Sequence, residues 1–153
     1  MRTIEQVLGL WVTGLLSPEA VTEWAGRQIA RLDQPPTELF DLASDGPEVC
    51  LKRAEIDFPY RPNPPSYAEG FALRAIAVDL SSDDDVWNLA DWAARNCMGE
   101  DLADPFVTLG YQLDHYIADC QDVERAKALI RTELPSLRLQ CHTLAMPFAE
   151  SDA

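Results

Sequence analysis

The sequence predicts an all-α protein, a single-domain bundle of about six to eight helices spanning residues 1–153. Three observations carry that expectation. Apolar residues recur at helical spacing through most of the chain, helix-starting pairs such as Ser17-Pro18 and Asp104-Pro105 precede the periodic runs, and strand-like alternation is confined to one short stretch. With 153 residues, 47% hydrophobic and 25% charged, the chain suffices for one domain with a real core.

The elements follow in order. Apolar residues at 4, 7, 8, 11, 12, 15 and 16 predict a helix over residues 3–14, closed near Gly14. Ser17 is a good N-cap and Pro18 a good first helical residue, since proline needs no backbone donor there. The second helix buries Val21, Trp24, Ala25, Gln28 and Ile29, and Asp33-Gln34-Pro35-Pro36 breaks it. A short helix over 36–43 turns Leu39, Phe40 and Leu42 inward, 44–47 is a turn, and another short helix runs from Pro47 to about Glu55. Residues 56–66 carry Pro59, Pro62, Pro64 and Pro65, a density that neither helix nor central strand survives. Phe58 and Tyr60 are expected to anchor this loop on the core.

Residues 67–80 predict the most buried helix. In the next, Ser81 or Ser82 caps a helix whose first turn is Asp83-Asp84-Asp85, with Val86, Ala90, Ala93 and Cys97 on one stripe and Gly99 at the C-terminal cap. Asp104-Pro105 opens a helix through Phe106, Leu109, Leu113, Tyr116, Ile117 and Cys120. A further helix over 123–134 stops at Pro135. Ser136–His142 alternates as a strand would, yet Leu137, Cys141, Leu144 and Ala145 also fit a helix, and with no partner strand in view a helix is expected. Residues 147–153 are expected to form a loose tail.

Charge is the unusual quantity: 26 acids against 12 bases, a net of −14. That field repels nucleic-acid backbones and anionic membranes and favours association with a basic partner, although excess acid also serves plain solubility. Residues 66–105 hold nine acids against Arg74 and Arg95, half the whole excess. Cys50, Cys97, Cys120 and Cys141 form no CxxC pair and each sits among apolar neighbours, as small buried hydrophobes do. Residues 7–16 could pass for a short signal core, but Glu5 interrupts the flank and no cleavage site follows. No apolar run reaches membrane-span length. A cytoplasmic protein with reduced thiols is expected.

The aspartate triplet is explained by its place in a helix first turn, where carboxylates meet unpaired backbone donors and the positive end of the dipole. A metal reading would need further carboxylates three or four positions on, where Val86, Trp87, Asn88 and Leu89 stand instead. An acidic binding edge is compatible with the cap, and Asp83, Asp84, Asp85, Asp91, Glu100 and Asp101 are the residues expected to form it. A rival site lies on the following helix, where Tyr111, His115 and Asp119 share a face and a histidine beside carboxylates is suited to base or ligand work. His142 reads as a surface residue, and Arg125, Lys127 and Arg131 as a solvated face with Glu124. HExxH, GxGxxG, a phosphate loop and GxSxG are all missing, so no metal and no cofactor is expected. The four tryptophans fall at core spacing.

The stretch from Leu10 to Ser44, through Trp11, Gly14, Ser17-Pro18-Glu19, Trp24-Ala25 and Leu39 to Leu42, resembles the start of small, acidic, all-helical bacterial proteins of uncharacterised families, some of them similar to immunity proteins of polymorphic toxin systems. The resemblance implies a non-enzymatic protein that binds a toxin, and it carries over no catalytic residue. The alternatives are a small helical enzyme or ligand-binding protein using His115, Asp119 and Tyr111, and an adaptor or homo-oligomer subunit.

Overall fold

The computed structural model describes residues 1–150. Among them all regular structure is helical: α1 (Ile4–Val12), α2 (Pro18–Arg31), α3 (Thr37–Lys52), α4 (Tyr67–Ala75), α5 (Asp83–Asn96), α6 (Pro105–Asp114) and α7 (Val123–Ala145), with a π-helical turn at His115–Asp119 and a 3-10 turn at Met146–Phe148. No described helix is long and apolar enough to cross a membrane. Internal contacts sort the chain into two units, Met1–Pro65 with Glu150, and Ser66–Ala149. Residues 151–153, the end of the expected loose tail, lie outside the described residues; Phe148, earlier in that stretch, is buried.

In the first unit Thr3 and Gln6 form a reciprocal capping box on α1, and Ser17 caps α2 as its spacing predicts. Val7, Leu8, Val21, Leu42, Cys50 and Phe58 make a fully buried core. As the sequence predicts, α3 is two short helices, and they meet at a kink at Gly46 (φ +80, ψ 168) inside the expected turn at 44–47. Arg53 bridges that break by pairing with Asp41 at 3.2 Å and with Asp45. The proline-rich stretch is irregular, as its composition requires. Phe58 is wholly buried with Tyr60 edge-on at 6.0 Å, and the Arg61 guanidinium donates to the Phe58 and Tyr60 carbonyls at 2.9 and 3.0 Å. Asn63 N–H donates to the Glu5 carbonyl at 2.9 Å, which brings the loop backbone against α1 at Gly9. A Cβ at Gly9 would stand 2.0 Å from the Asn63 oxygen, so only glycine admits this approach.

In the second unit α5 packs on α6 and α7, and α4 on α7, around Phe71, Val86, Ala90, Ala93, Phe106, Leu113, Ala126, Ile130 and Cys141. The small residues of α5 let α6 close in at Gly110, whose Cβ would meet the Tyr67 hydroxyl at 2.4 Å and the Ala93 carbonyl at 2.9 Å. That hydroxyl donates to Ala93 O at 3.1 Å, and burial pushes its pKa far above the usual tyrosine value.

Three boundaries differ from expectation. α4 stops at Ala75 instead of Leu80, because α7 takes over the next carbonyls: Arg138 donates to Val78 O at 3.3 Å and Arg131 to Leu80 O at 3.1 Å. α7 runs on through Pro135 to Ala145. Pro135 faces solvent, and the stripe Leu134, Leu137, Cys141, Ala145 stays on the core across it, which offsets the roughly 3 kcal/mol that an interior proline costs. The third difference is the π turn after α6. It rotates the apolar stripe, so Cys120 is exposed rather than inward.

Candidate functional site

The aspartate triplet divides by role. Ser82 Oγ accepts from Asp85 N at 3.3 Å, which closes the expected cap. Asp83 turns toward α7, where Lys127 Nζ donates to it at 2.6 Å and the Arg131 guanidinium pairs with its other oxygen. Lys127 also binds Glu124 at 2.7 Å, and its side chain is only 8% exposed. Lys127 is therefore part of the packing between α5 and α7 and not of a solvated basic face. Hydrogen bonds from Lys127 and Arg131 hold the Asp83 carboxyl below its ordinary pKa, and those to Asp83 and Glu124 hold the lysine above its own. Asp85 accepts from Asp79 N at 3.0 Å and so fixes the turn before α5. Asp84 is exposed and has no ion-pair partner among the described residues.

The other expected binding acids lie further along. Asp91 pairs with Arg95 at 2.8 Å on the exposed face it shares with Asp84. Glu100 and Asp101 stand beyond the C-terminus of α5, about 20 Å from the triplet along a helix of this length. Three of the six thus stand at the start of α5, with Asp83 turned toward α7, one lies on its exposed face, and two stand past its far end.

That far end is well ordered by its own bonds. Glu100 N donates to Cys97 O at 3.2 Å, Asp101 Oδ1 accepts from Ala103 N at 2.9 Å, Asp104 Oδ1 caps α6 through Phe106 N at 2.9 Å, and Thr108 Oγ1 donates to Leu102 O at 3.1 Å. The loop nevertheless exposes two large apolar side chains, Met98 at 54% and Leu102 at 64%. Two open grooves adjoin it and share Ala103 and Pro105. One, about 390 Å³, adds Asp101, Phe106, Gln140 and Leu144; the other, about 440 Å³, adds Leu109, Gln112, Glu133 and Leu137.

The rival site is assembled differently from its expectation. His115 Nδ1 lies 2.9 Å from Asp119 Oδ2, as the spacing of four predicts, and the imidazole Nε2 lies 3.6 Å from Cys120 Sγ. Tyr111 packs half-buried onto the core instead, and the ring nearest the imidazole is Tyr116, at 5.9 Å, itself covered by the Arg125 guanidinium at 4.4 Å. Sequence reasoning missed Cys120 because helical periodicity places it on the buried stripe. The only local signal is the adjacency of His, Asp and Cys in HYIADC. All three groups are exposed, and neither groove reaches them. His142 is exposed beside buried Cys141. Among the described residues no three His, Cys, Asp or Glu side chains are arranged to hold a metal. Trp92 stacks on Tyr67 at 5.3 Å with Arg74 over its face, a packing arrangement rather than a cage. No protein-family model, curated protein or solved structure matches the chain.

Proposed function

We propose that this chain is a non-enzymatic binding protein whose acidic surface engages a basic protein partner, as a toxin-neutralising immunity protein does. The observation that carries the reading is the loop between α5 and α6. It exposes Met98 and Leu102 beside Glu100 and Asp101 and holds them in a bonded, preorganised turn. Apolar anchors ringed by like charges suit recognition of a basic surface: the acids steer the encounter and the anchors supply affinity. Preorganisation lowers the ordering cost of binding, and methionine adapts to the facing shape. The open grooves that adjoin it at Ala103 and Pro105 offer room for a partner's side chains, whereas the rival reading wants a deep pocket at Tyr111, His115 and Asp119.

The test is capture of partners with the wild-type chain and with a Met98→Ser, Leu102→Ser double variant, followed by titration of the purified partner in rising salt. The expected result is one basic protein, bound more weakly as salt rises and at least about tenfold more weakly by the double variant. The same protein should be toxic when expressed alone and harmless with this chain. A partner held equally by the double variant, or one insensitive to salt, overturns the reading. Asp83 is the wrong residue to change in such a test, because its loss disturbs the packing of α5 on α7.

A further inference from the structure

The π turn His115–Asp119 and its exit bring together a thiol, an imidazole and a carboxylate. In an α-helix of 3.6 residues per turn, positions five apart lie about 140° around the axis, so Cys120 and His115 would face different ways. Here Cys120 N donates to His115 O at 3.0 Å, the wider i to i+5 closure, and Sγ comes to 3.6 Å from Nε2. Asp119 holds the opposite ring nitrogen at 2.9 Å. Gln121 then takes φ +51, a left-handed conformation disfavoured for any residue with a side chain, and Asp122 N closes on Tyr116 O at 2.8 Å. The π closure sets a nucleophile, a base and an orienting carboxylate in line, and the left-handed Gln121 ends the turn just beyond them. Cys120 is exposed, while Cys50, Cys97 and Cys141 are buried.

The geometry points to Cys120 as a modification site that exchanges with small disulfides, with His115 as its base and Asp119 as the positioning residue. Asp119 accepts a hydrogen bond from Nδ1–H, which keeps that proton on Nδ1 and leaves Nε2 free to accept from the thiol. The S–H proton passes to Nε2 as Sγ attacks one sulfur of R–S–S–R. The new Sγ–S bond forms while the reagent's S–S bond breaks, and the leaving thiolate takes the proton back from Nε2 and departs as R–SH. Cys120 is oxidised to the mixed disulfide and one half of the reagent is reduced. With Glu124 paired to Lys127, Asp114, Asp119 and Asp122 still outnumber Arg125 in this stretch, so the preferred reagent is a cationic disulfide.

The test treats the full chain with cystamine and follows the Cys120 peptide by mass spectrometry, in the native protein and in urea. Native Cys120 is expected to exchange about tenfold faster than the same thiol in the unfolded chain. His115→Asn should bring the native rate down to the unfolded one at unchanged helix content, and Asp119→Asn should fall between. Oxidised glutathione, an anionic disulfide, should react more slowly than cystamine. A native rate no faster than the unfolded one, or a His115→Asn chain that still reacts as fast as wild type, overturns the assignment. A glutathione rate equal to that of cystamine overturns the substrate class.

Discussion

The two units bury polar groups in opposite ways. The second unit buries Lys127 and Tyr67 and satisfies both: the ammonium meets Asp83 and Glu124, and the hydroxyl meets the Ala93 carbonyl. The first unit buries Trp24 and Gln28, whose indole Nε1 and amide Oε1 have no partner among the described residues. A satisfied buried polar group specifies one arrangement of the elements that supply its partners, whereas an orphaned one only subtracts stability. The second unit is therefore built for fixed geometry around α5, past whose C-terminus Met98 and Leu102 stand beside Glu100 and Asp101. The first draws its order from aliphatic packing and from the backbone of a proline-rich loop.

The widest separation between the units should come from their glycines. Gly9→Ala sets a Cβ against loop backbone, which has no flexible end to give way, and should destabilise the chain by more than about 3 kcal/mol. Gly110→Ala meets the Tyr67 hydroxyl, the buried Cys97 Cβ and the Ala93 carbonyl, all under 3 Å, and should cost a comparable amount. Amide hydrogen exchange distinguishes the two. Gly9→Ala should raise exchange chiefly in residues 4–63, and Gly110→Ala chiefly in 67–145. Uniform acceleration across both units in either variant would break the comparison.

A smaller effect is expected at Asp83, and it depends on pH. Its carboxyl titrates below the ordinary value when folded, so its stabilisation is present above about 3.9 and is lost as pH falls through the folded value. Lys127 titrates above its ordinary value, so its share persists to about pH 10.4 and disappears only as pH rises through the raised one. The Tm difference between wild type and Asp83→Asn should accordingly be flat from about pH 5 to 9 and close below about pH 4. A gap that stays constant down to the most acid condition would show that Asp83 acts by shape and not by charge.

These residues also mark where legibility in the sequence ended. The all-helical class, the Ser17 and Ser82 caps and the buried Phe58 follow from local periodicity and local donors, which a sequence displays directly. The contact of His115 with Asp119 was visible for the same reason. The end of α4, the burial of Lys127 and the division of the aspartate triplet were not, because each depends on α7, about 45 to 60 residues away in the chain. Pro135 misled for a related cause: its local penalty is real, and tertiary burial on both sides exceeds it. The π turn lies between these cases, since it is local but breaks the very period by which helices are recognised.

The smallest predicted effect tests the first unit's side of the comparison, and it is a gain. Gln28 is 4% exposed, and its Oε1 has no partner among the described residues. Methionine has nearly the same length and flexibility and needs no hydrogen bond, so Gln28→Met keeps the packing of α2 and removes a desolvated carbonyl. The expected result is a stabilisation of about 1 kcal/mol, read as a rise in Tm or in the denaturant midpoint at unchanged slope. The matched change in the second unit, Lys127→Met, removes a group that does have partners and should lower Tm instead. Opposite signs for two substitutions to the same residue sustain the contrast between the units. A loss of stability in Gln28→Met would mean that the amide is satisfied in solution, and the first unit would then be as fully specified by polar contacts as the second.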